Sequence, residues 1–189
     1  MTTENPDLKL LARALAFAAH KHRDQRRKNV EASPYINHPI ALFDHLVNVG
    51  GITDTEILCA ALLHDTIEDT ETTEAELIEE FGPSISGIVA EVTDDGSLPK
   101  EERKRLQIEH APLLSTRARA VKLADKTCNL RDVAQSPPRN WSDERRSDYF
   151  DWAGRVIDGL RGEWPGLEAA FDREYAKKAL VAGGGKSGI

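Results

Sequence analysis

The sequence predicts an all-α fold, and three observations predict it. Apolar residues recur at three- and four-residue spacing in one segment after another. Capping residues, glycines and prolines punctuate those segments at helix lengths. No run shows the strict alternation of apolar and polar residues that a half-buried strand requires. With no internal repeat and no hinge composition, the 189 residues read as one domain. The domain is expected over residues 1–181, with a disordered Gly-rich tail at 182–189.

The elements follow in order. From Asp7 to His22, Leu8, Leu11, Ala12, Leu15, Ala16 and Ala19 form the apolar side of an amphipathic helix, with Pro6 placed just before its first turn. That helix runs into the basic cluster Lys21, His22, Arg23, Arg26, Arg27 and Lys28, which also reads as an ordinary solvated helix end. Ser33 to Pro39 is a turn, because each proline keeps the residue before it out of the helical region. Pro39 then suits the first turn of a helix through Val47, stopped by Gly50 and Gly51, with His38 in its N-terminal cap region. Thr53 to Glu56 caps the next helix, which carries Leu58 to Asp69. Two more helices are expected on either side of Gly82-Pro83, over Glu74 to Phe81 and Ser84 to Val92. A loop at Thr93 to Gly96 precedes the charged run Lys100 to His110. Thr116 to Val133 is helical and carries Asp125 and Asn129 one turn apart. Pro137-Pro138 ends it, a helix follows from Trp141-Ser142-Asp143-Glu144, and a last one runs from about Leu167 to Leu180.

Composition narrows the function. Hydrophobic residues at 40% and charged residues at 30% describe a folded protein rather than a disordered one. A net charge of -7, from 32 acidic and 25 basic side chains, argues against nucleic acid and anionic membrane as partners, so an anionic substrate must meet a local basic patch. No apolar run reaches the roughly 20 residues of a membrane span, and the N-terminus lacks the basic start and apolar core of a signal peptide. A cytoplasmic location is expected. Cys59 and Cys128 both sit in apolar helical patterns and read as buried side chains, not as a disulfide or a zinc pair.

The chemistry concentrates in L-C-A-A-L-L-H-D-T-I-E-D, Leu58 to Asp69. On one helix, His64, Asp65, Glu68 and Asp69 would fall within roughly 140° of arc. His64 and Asp65 offer a nitrogen and an oxygen to one ion, and other helices must complete the set. Few polar residues are embedded in apolar surroundings elsewhere, and His38 and Asp125 are the candidates. Each has an ordinary structural alternative, such as an Asp125 ion pair with Lys126 or Arg131. Together they converge too many carboxylates to be tolerated without a cation. Two histidines and two aspartates favour Mn²⁺, Fe²⁺ or Mg²⁺ and leave positions open for water and substrate.

The order His38, then His64-Asp65, then Asp125 resembles the H…HD…D signature of HD-domain metal-dependent phosphohydrolases. More specific are R-R-K at Arg26 to Lys28, P-Y-I-N-H-P at Pro34 to Pro39, A-L-L-H-D-T-I-E-D at Ala61 to Asp69, V-T-D-D at Val92 to Asp95 and V-K-L-A-D-K-T-C-N-L-R-D at Val121 to Asp132. These resemble the hydrolase domain of the RelA/SpoT proteins, above all the stand-alone small alarmone hydrolases, over roughly Asp7 to Tyr175. The resemblance implies a helical HD bundle around one Mn²⁺ held by His38, His64, Asp65 and Asp125. It implies a guanosine nucleotide substrate, (p)ppGpp, cleaved at its ribose 3′-pyrophosphate to GDP or GTP. Glu68 and Asp69 match the catalytic E-D pair that orients or deprotonates water and handles the leaving group's proton. Arg27 and Lys28 match nucleotide-pocket positions, and Tyr35, Lys100 and Asn129 are carried over with them. Cys128 stands where relatives often carry a larger side chain, which would alter the pocket wall. With no synthetase or regulatory domain following, hydrolysis alone is expected.

Three other readings compete. The same site could act on another phosphorylated nucleotide, with NADPH dephosphorylation as the family-suggested case. A silent HD module could sense nucleotide without turnover, though the presence of both Glu68 and Asp69 speaks against it. A purely structural helical protein would hold no divalent ion. The sequence leaves the oligomeric state open.

Overall fold

Residues 6–183 are described by the structure, a computed structural model, and among them no strand forms; one isolated antiparallel bridge joins Arg26 and Pro34. Helices α1 (Pro6–Lys21), α2 (Asn37–Asn48) and α3 (Thr55–Leu63) open the chain. α3 is the inner element of this half. Every residue from Ile57 to Leu63 is buried, as expected of a helix that is apolar all round. Asp54 caps it, its carboxylate accepting from the backbone N–H groups of Glu56 at 2.9 Å and Ile57 at 3.4 Å. α1 packs along α3 through Ala14 and Ala18, which have no exposed surface, so the two backbones approach closely.

The short α4 (Thr66–Asp69) follows, then α5 (Glu74–Val92), α6 (Lys100–His110) and a 3₁₀ turn at Ala111–Leu113. α5 bends at Gly82, whose φ of 84° and ψ of 163° are non-helical, so the two helices expected on either side of Gly82-Pro83 are two straight pieces of one kinked element. α6 is mainly charged and polar and has no fully buried residue, though Ile108 packs against the core. The remaining helices are α7 (Thr116–Gln135), α8 (Asp143–Asp158), α9 (Pro165–Tyr175) and α10 (Lys178–Gly183). α7 is the second inner element, packed by α2, α5, α8 and α9. Ser115 and Ser142 cap α7 and α8, each accepting from the N–H three residues on at 3.2 Å. Unusually for a core helix, α7 buries Lys122, Asp125 and Lys126 among Val121, Leu123 and Ala124. No described helix is long and apolar enough to cross a membrane.

Two expectations are corrected. Leu58 to Asp69 is not one helix. α3 stops at Leu63, His64 and Asp65 form a turn, and α4 starts afresh at Thr66. Asp65 at φ -100° and ψ 0° leaves the helical ladder, and the Thr66 hydroxyl donates to the Leu63 carbonyl at 2.7 Å across the break. The last helix is also divided, between α9 and α10, and Ala182 and Gly183 belong to α10 rather than to a tail; residues 184–189 lie outside the described residues.

Candidate metal centre and active site

Three parts of the chain meet where the polar residues of the core are buried. His38 comes from the first turn of α2, His64 and Asp65 from the break between α3 and α4, and Asp125 from the middle of α7. His38 Nε2 lies 3.2 Å from Asp125 Oδ1 and 4.0 Å from Asp65 Oδ2. His64 Nε2 lies 2.9 Å from Asp65 Oδ2 and 3.9 Å from Asp125 Oδ1. Ligands at about 2.1 Å from a shared ion sit about 3 Å apart when adjacent and about 4.2 Å apart when opposite, and the four separations fall in that range. His38, His64 and Asp65 alone place one donor atom each within 4.8 Å of one another.

The donors are set for a cation. His64 Nδ1 donates to the Ala61 carbonyl at 2.9 Å, which leaves Nε2 as the ring atom that faces the carboxylates. That Nε2 is buried and has no hydrogen-bond partner, because Asp65, though close, is out of line for one. Burial works against a charged His64 ring, yet Asp65 and Asp125 outweigh it and push its pKa up to about 9. Burial likewise opposes charge on the two aspartates. His64 and His38 nevertheless hold Asp65 below the usual carboxylate range, and Lys126 with His38 and His64 does the same for Asp125. Positive charge is demanded at the point where the four side chains face each other, and two nitrogens with two oxygens suit a borderline or hard divalent ion.

The surrounding contacts orient these groups. The Tyr35 hydroxyl donates to Asp65 Oδ2 at 2.5 Å; burial, Asp65 and Asp69 all raise its pKa, so the phenol keeps its proton. Asn129 Nδ2 donates to Asp125 Oδ1 at 2.6 Å, one helical turn away. Lys126 does pair with Asp125, at 3.1 Å, but on the other oxygen, Oδ2, with its ammonium 4.6 Å from the centre of the Trp152 ring. Arg131 instead approaches the Cys128 sulfur at 3.3 Å.

Glu68 and Asp69, on α4, stand beside this cluster and are held by different means. Glu68 Oε1 accepts from Arg103 of α6 at 3.0 Å, and its Oε2 from the Asp94 backbone N–H at 3.4 Å. Burial, then Asp94 and Asp65, raise the Glu68 pKa. Asp69 Oδ2 accepts from Gln25 Nε2 at 2.9 Å. Both acids line a small chamber of about 170 Å³ together with His64, Asp65 and Asp125. The chamber adjoins a larger cavity of about 520 Å³, and Arg27, Tyr35, His38, Asp69 and Asn129 line both.

The larger cavity has a cationic and an aromatic wall. Arg27 pairs with Asp132 at 2.6 Å and with Asn129 at 3.3 Å, its guanidinium 5.5 Å from the centre of the Tyr35 ring. Burial opposes its charge but Asp132 and Tyr35 outweigh it and raise its pKa. Lys28 is exposed at the rim, and Trp141 and Tyr149 face the cavity as a ring pair with centroids 5.4 Å apart. Lys100 lines neither cavity. It is exposed on the first turn of α6, where partial burial and the neighbouring Arg145, Lys104 and Lys28 lower its pKa. Cys128 is wholly buried and also lines neither, so the expected effect on the pocket wall has no direct contact behind it.

Residue type and spacing assign no role to Gln25, Arg103, Asp132, Trp141 or Tyr149; Asp94, Asp132 and Trp141 stood out only as parts of the V-T-D-D run, the α7 run and a helix start.

An all-helical domain that brings two histidines and two aspartates together from α2, the α3–α4 break and α7 has the architecture of an HD domain. The HD-domain family model matches residues 14–149, and the chain belongs to that family. Within it, the chain is 52% identical over 175 residues to the guanosine-3′,5′-bis(diphosphate) 3′-pyrophosphohydrolase MESH1 of Xenopus tropicalis, covering 93% of this chain and 98% of that one. Human MESH1 is 51% identical over 171 residues, with 90% and 96% covered. Among solved structures, a metazoan ortholog of SpoT that hydrolyses ppGpp superposes with a TM-score of 0.88 at 46% identity, covering 95% of this chain and 99% of that one.

Proposed function

We propose that this protein removes pyrophosphate from the ribose 3′ position of guanosine tetra- and pentaphosphate, with one Mn²⁺ held by His38, His64, Asp65 and Asp125. The observation that carries this reading is the unpartnered Nε2 of His64, turned toward Asp65 and Asp125 beside a chamber that joins a nucleotide-sized cavity. Full-length relatives named for that hydrolysis, at about half identity, support the substrate.

A bound divalent ion would supply positive charge to a phosphoryl oxygen and lower the pKa of a water molecule. The side chains do the rest. Tyr35 fixes the orientation of Asp65, Ala61 that of His64 and Asn129 that of Asp125. Glu68 and Asp69 between them orient the attacking water, accept its proton and return a proton to the leaving oxygen. The water oxygen bonds to the phosphorus attached to the ribose 3′ oxygen, the P–O3′ bond breaks, and pyrophosphate separates from GDP or GTP. In the larger cavity, Arg27 and Lys28 meet phosphate, and Trp141, Tyr149 and the Arg27 plane offer flat surfaces to the base.

The test is a product assay on Mn²⁺-loaded protein given guanosine tetraphosphate and NADPH in parallel, with pyrophosphate, orthophosphate and GDP followed separately. Pyrophosphate with GDP is expected. Orthophosphate from NADPH alone would move the substrate while keeping the site, and silence on both with metal bound would overturn the reading.

A further inference from the structure

α6 is the element that hydrophobic burial explains least. It has no buried residue, and its sequence, K-E-E-R-K-R-L-Q-I-E-H, carries mainly charged and polar groups. Its docking is correspondingly polar. Trp152 Nε1 of α8 donates to the Lys104 carbonyl at 3.0 Å, Gln107 Nε2 donates to Asp94 Oδ2 at 2.5 Å, and Arg103 donates to Glu68 at 3.0 Å. Arg103 and Gln107 are one helical turn apart, so one face of α6 addresses both the α4 acid and the loop after α5.

We infer that Arg103 is a positioning residue for Glu68. It fixes that carboxylate in the rotamer that faces the chamber, and it does not itself touch substrate. This rests on the proposed hydrolase reading. Four observations carry it. Both Glu68 oxygens are held, Oε1 by the guanidinium and Oε2 by the Asp94 N–H. Among the described residues Glu68 is the carboxylate with which Arg103 pairs, and neither Glu68 nor Asp69 pairs with a second cation. Arg103 Nε is buried without a partner, so the guanidinium's pairing is not shared with a second acid. Arg103 lines the cavity on the far side of Asp94 and is absent from the walls of both the metal chamber and the nucleotide cavity. A residue so placed acts through Glu68.

The electrostatic need is plain. Asp65, Asp69 and Asp94 crowd Glu68, while the amino groups of Lys122 and Lys126 belong to other partners, the Val92 carbonyl and Asp125. Without the guanidinium to hold Oε1, a partly buried carboxylate in that company is free to swing away from the chamber.

The test uses the Mn²⁺-loaded full chain and its Arg103→Ala and Arg103→Lys variants with guanosine tetraphosphate. Arg103→Ala is expected to lose about 30-fold in kcat with KM within twofold of wild type, part of the 10²–10⁴ that acid–base groups supply. Guanidinium chloride at tens of millimolar is expected to restore kcat saturably, whereas the same concentration of sodium chloride should not. Arg103→Lys, the variant that keeps the charge if the alanine variant folds poorly, is expected to retain most of the turnover. Three results would overturn the role: an Arg103→Ala kcat equal to wild type, a rise in KM of tenfold or more at unchanged kcat, or a loss that guanidinium leaves untouched while Arg103→Lys is equally inactive. Wild-type protein that releases no pyrophosphate would instead remove the hydrolase reading itself.

Discussion

His64 gives its Nδ1 proton to the carbonyl of Ala61, three residues earlier in α3, across 2.9 Å. The helix end thereby chooses the ring's tautomer. The choice commits Nε2 to the carboxylates of Asp65 and Asp125, where a proton or a divalent cation can balance their charge.

A divalent ion should accordingly stabilise the fold. Chelator-treated protein given Mn²⁺ at about 100 times its Kd is expected to gain roughly 2.7 kcal/mol, and its Tm should rise by about 5–10 °C in differential scanning calorimetry. His38→Ala and Asp125→Ala should abolish most of the rise. A wild-type Tm indifferent to Mn²⁺ would count against the assigned ligands.

Glu68 and Asp69 are expected to separate turnover from metal retention. Glu68→Gln and Asp69→Asn should keep the Mn²⁺-dependent rise in Tm and lose about 10²–10³-fold in kcat, whereas Asp125→Ala should lose both. Full activity in either acid variant would sink their assignment.

Arg27 is tied to Asp132 and lies over Tyr35 in the cavity wall, and the proposed function gives it the nucleotide as a further partner. Arg27→Ala is expected to raise KM about tenfold, and Arg27→Lys to recover little of it, because an ammonium cannot reproduce the flat two-pronged contact. Steady-state kinetics in which the lysine variant matches wild type would contradict that role.

The two thiols give a prediction about pH. Burial raises Cys59 to about 11 and Cys128 to about 12, so both are neutral at pH 8 and sealed from reagent. Native protein should show no thiol titre with a coloured disulfide reagent at that pH, and two per chain after denaturation. One fast-reacting thiol in the folded state would show that a wall of the core opens.

Gly82 tests the kink in α5. At φ 84° an added methyl meets nothing within 4 Å, so only the backbone resists it. Gly82→Ala is expected to cost about 1–2 kcal/mol in urea unfolding while leaving kcat within twofold. An unchanged midpoint would mean the two halves of α5 can realign.

Much of this was written into residue type and spacing. Capping at Asp54, Ser142 and the Gly82-Pro83 punctuation read directly as helix boundaries, because each satisfies or removes a backbone hydrogen bond. His38 and Asp125 stood out as polar residues in apolar surroundings, and the structure brings them to His64 and Asp65. The break at His64-Asp65 was hidden. Helical periodicity runs straight through it, and a turn at φ -100° and ψ 0° needs neither glycine nor proline to announce it. Arg103 and Gln107 were invisible for another reason. A charged run looks the same whether it faces water or reaches across to an acid on a distant helix, and only tertiary packing separates the two. Nothing in residue type marked Trp141 and Tyr149 as cavity walls, because the pattern that buries a ring also describes one that lines a cavity.

The party wall between the two chambers has a consequence for how such a protein changes over time. Arg27, Tyr35, His38, Asp69 and Asn129 face both rooms, whereas Trp141 and Ser136 face only the larger one and Glu68 and Asp94, of these two rooms, only the smaller. Drift at the outer lining can therefore retune which nucleotide is admitted without disturbing the bond-breaking apparatus. Drift in the shared five must satisfy both trades at once. A lineage of this design is free to change its diet far more easily than its chemistry.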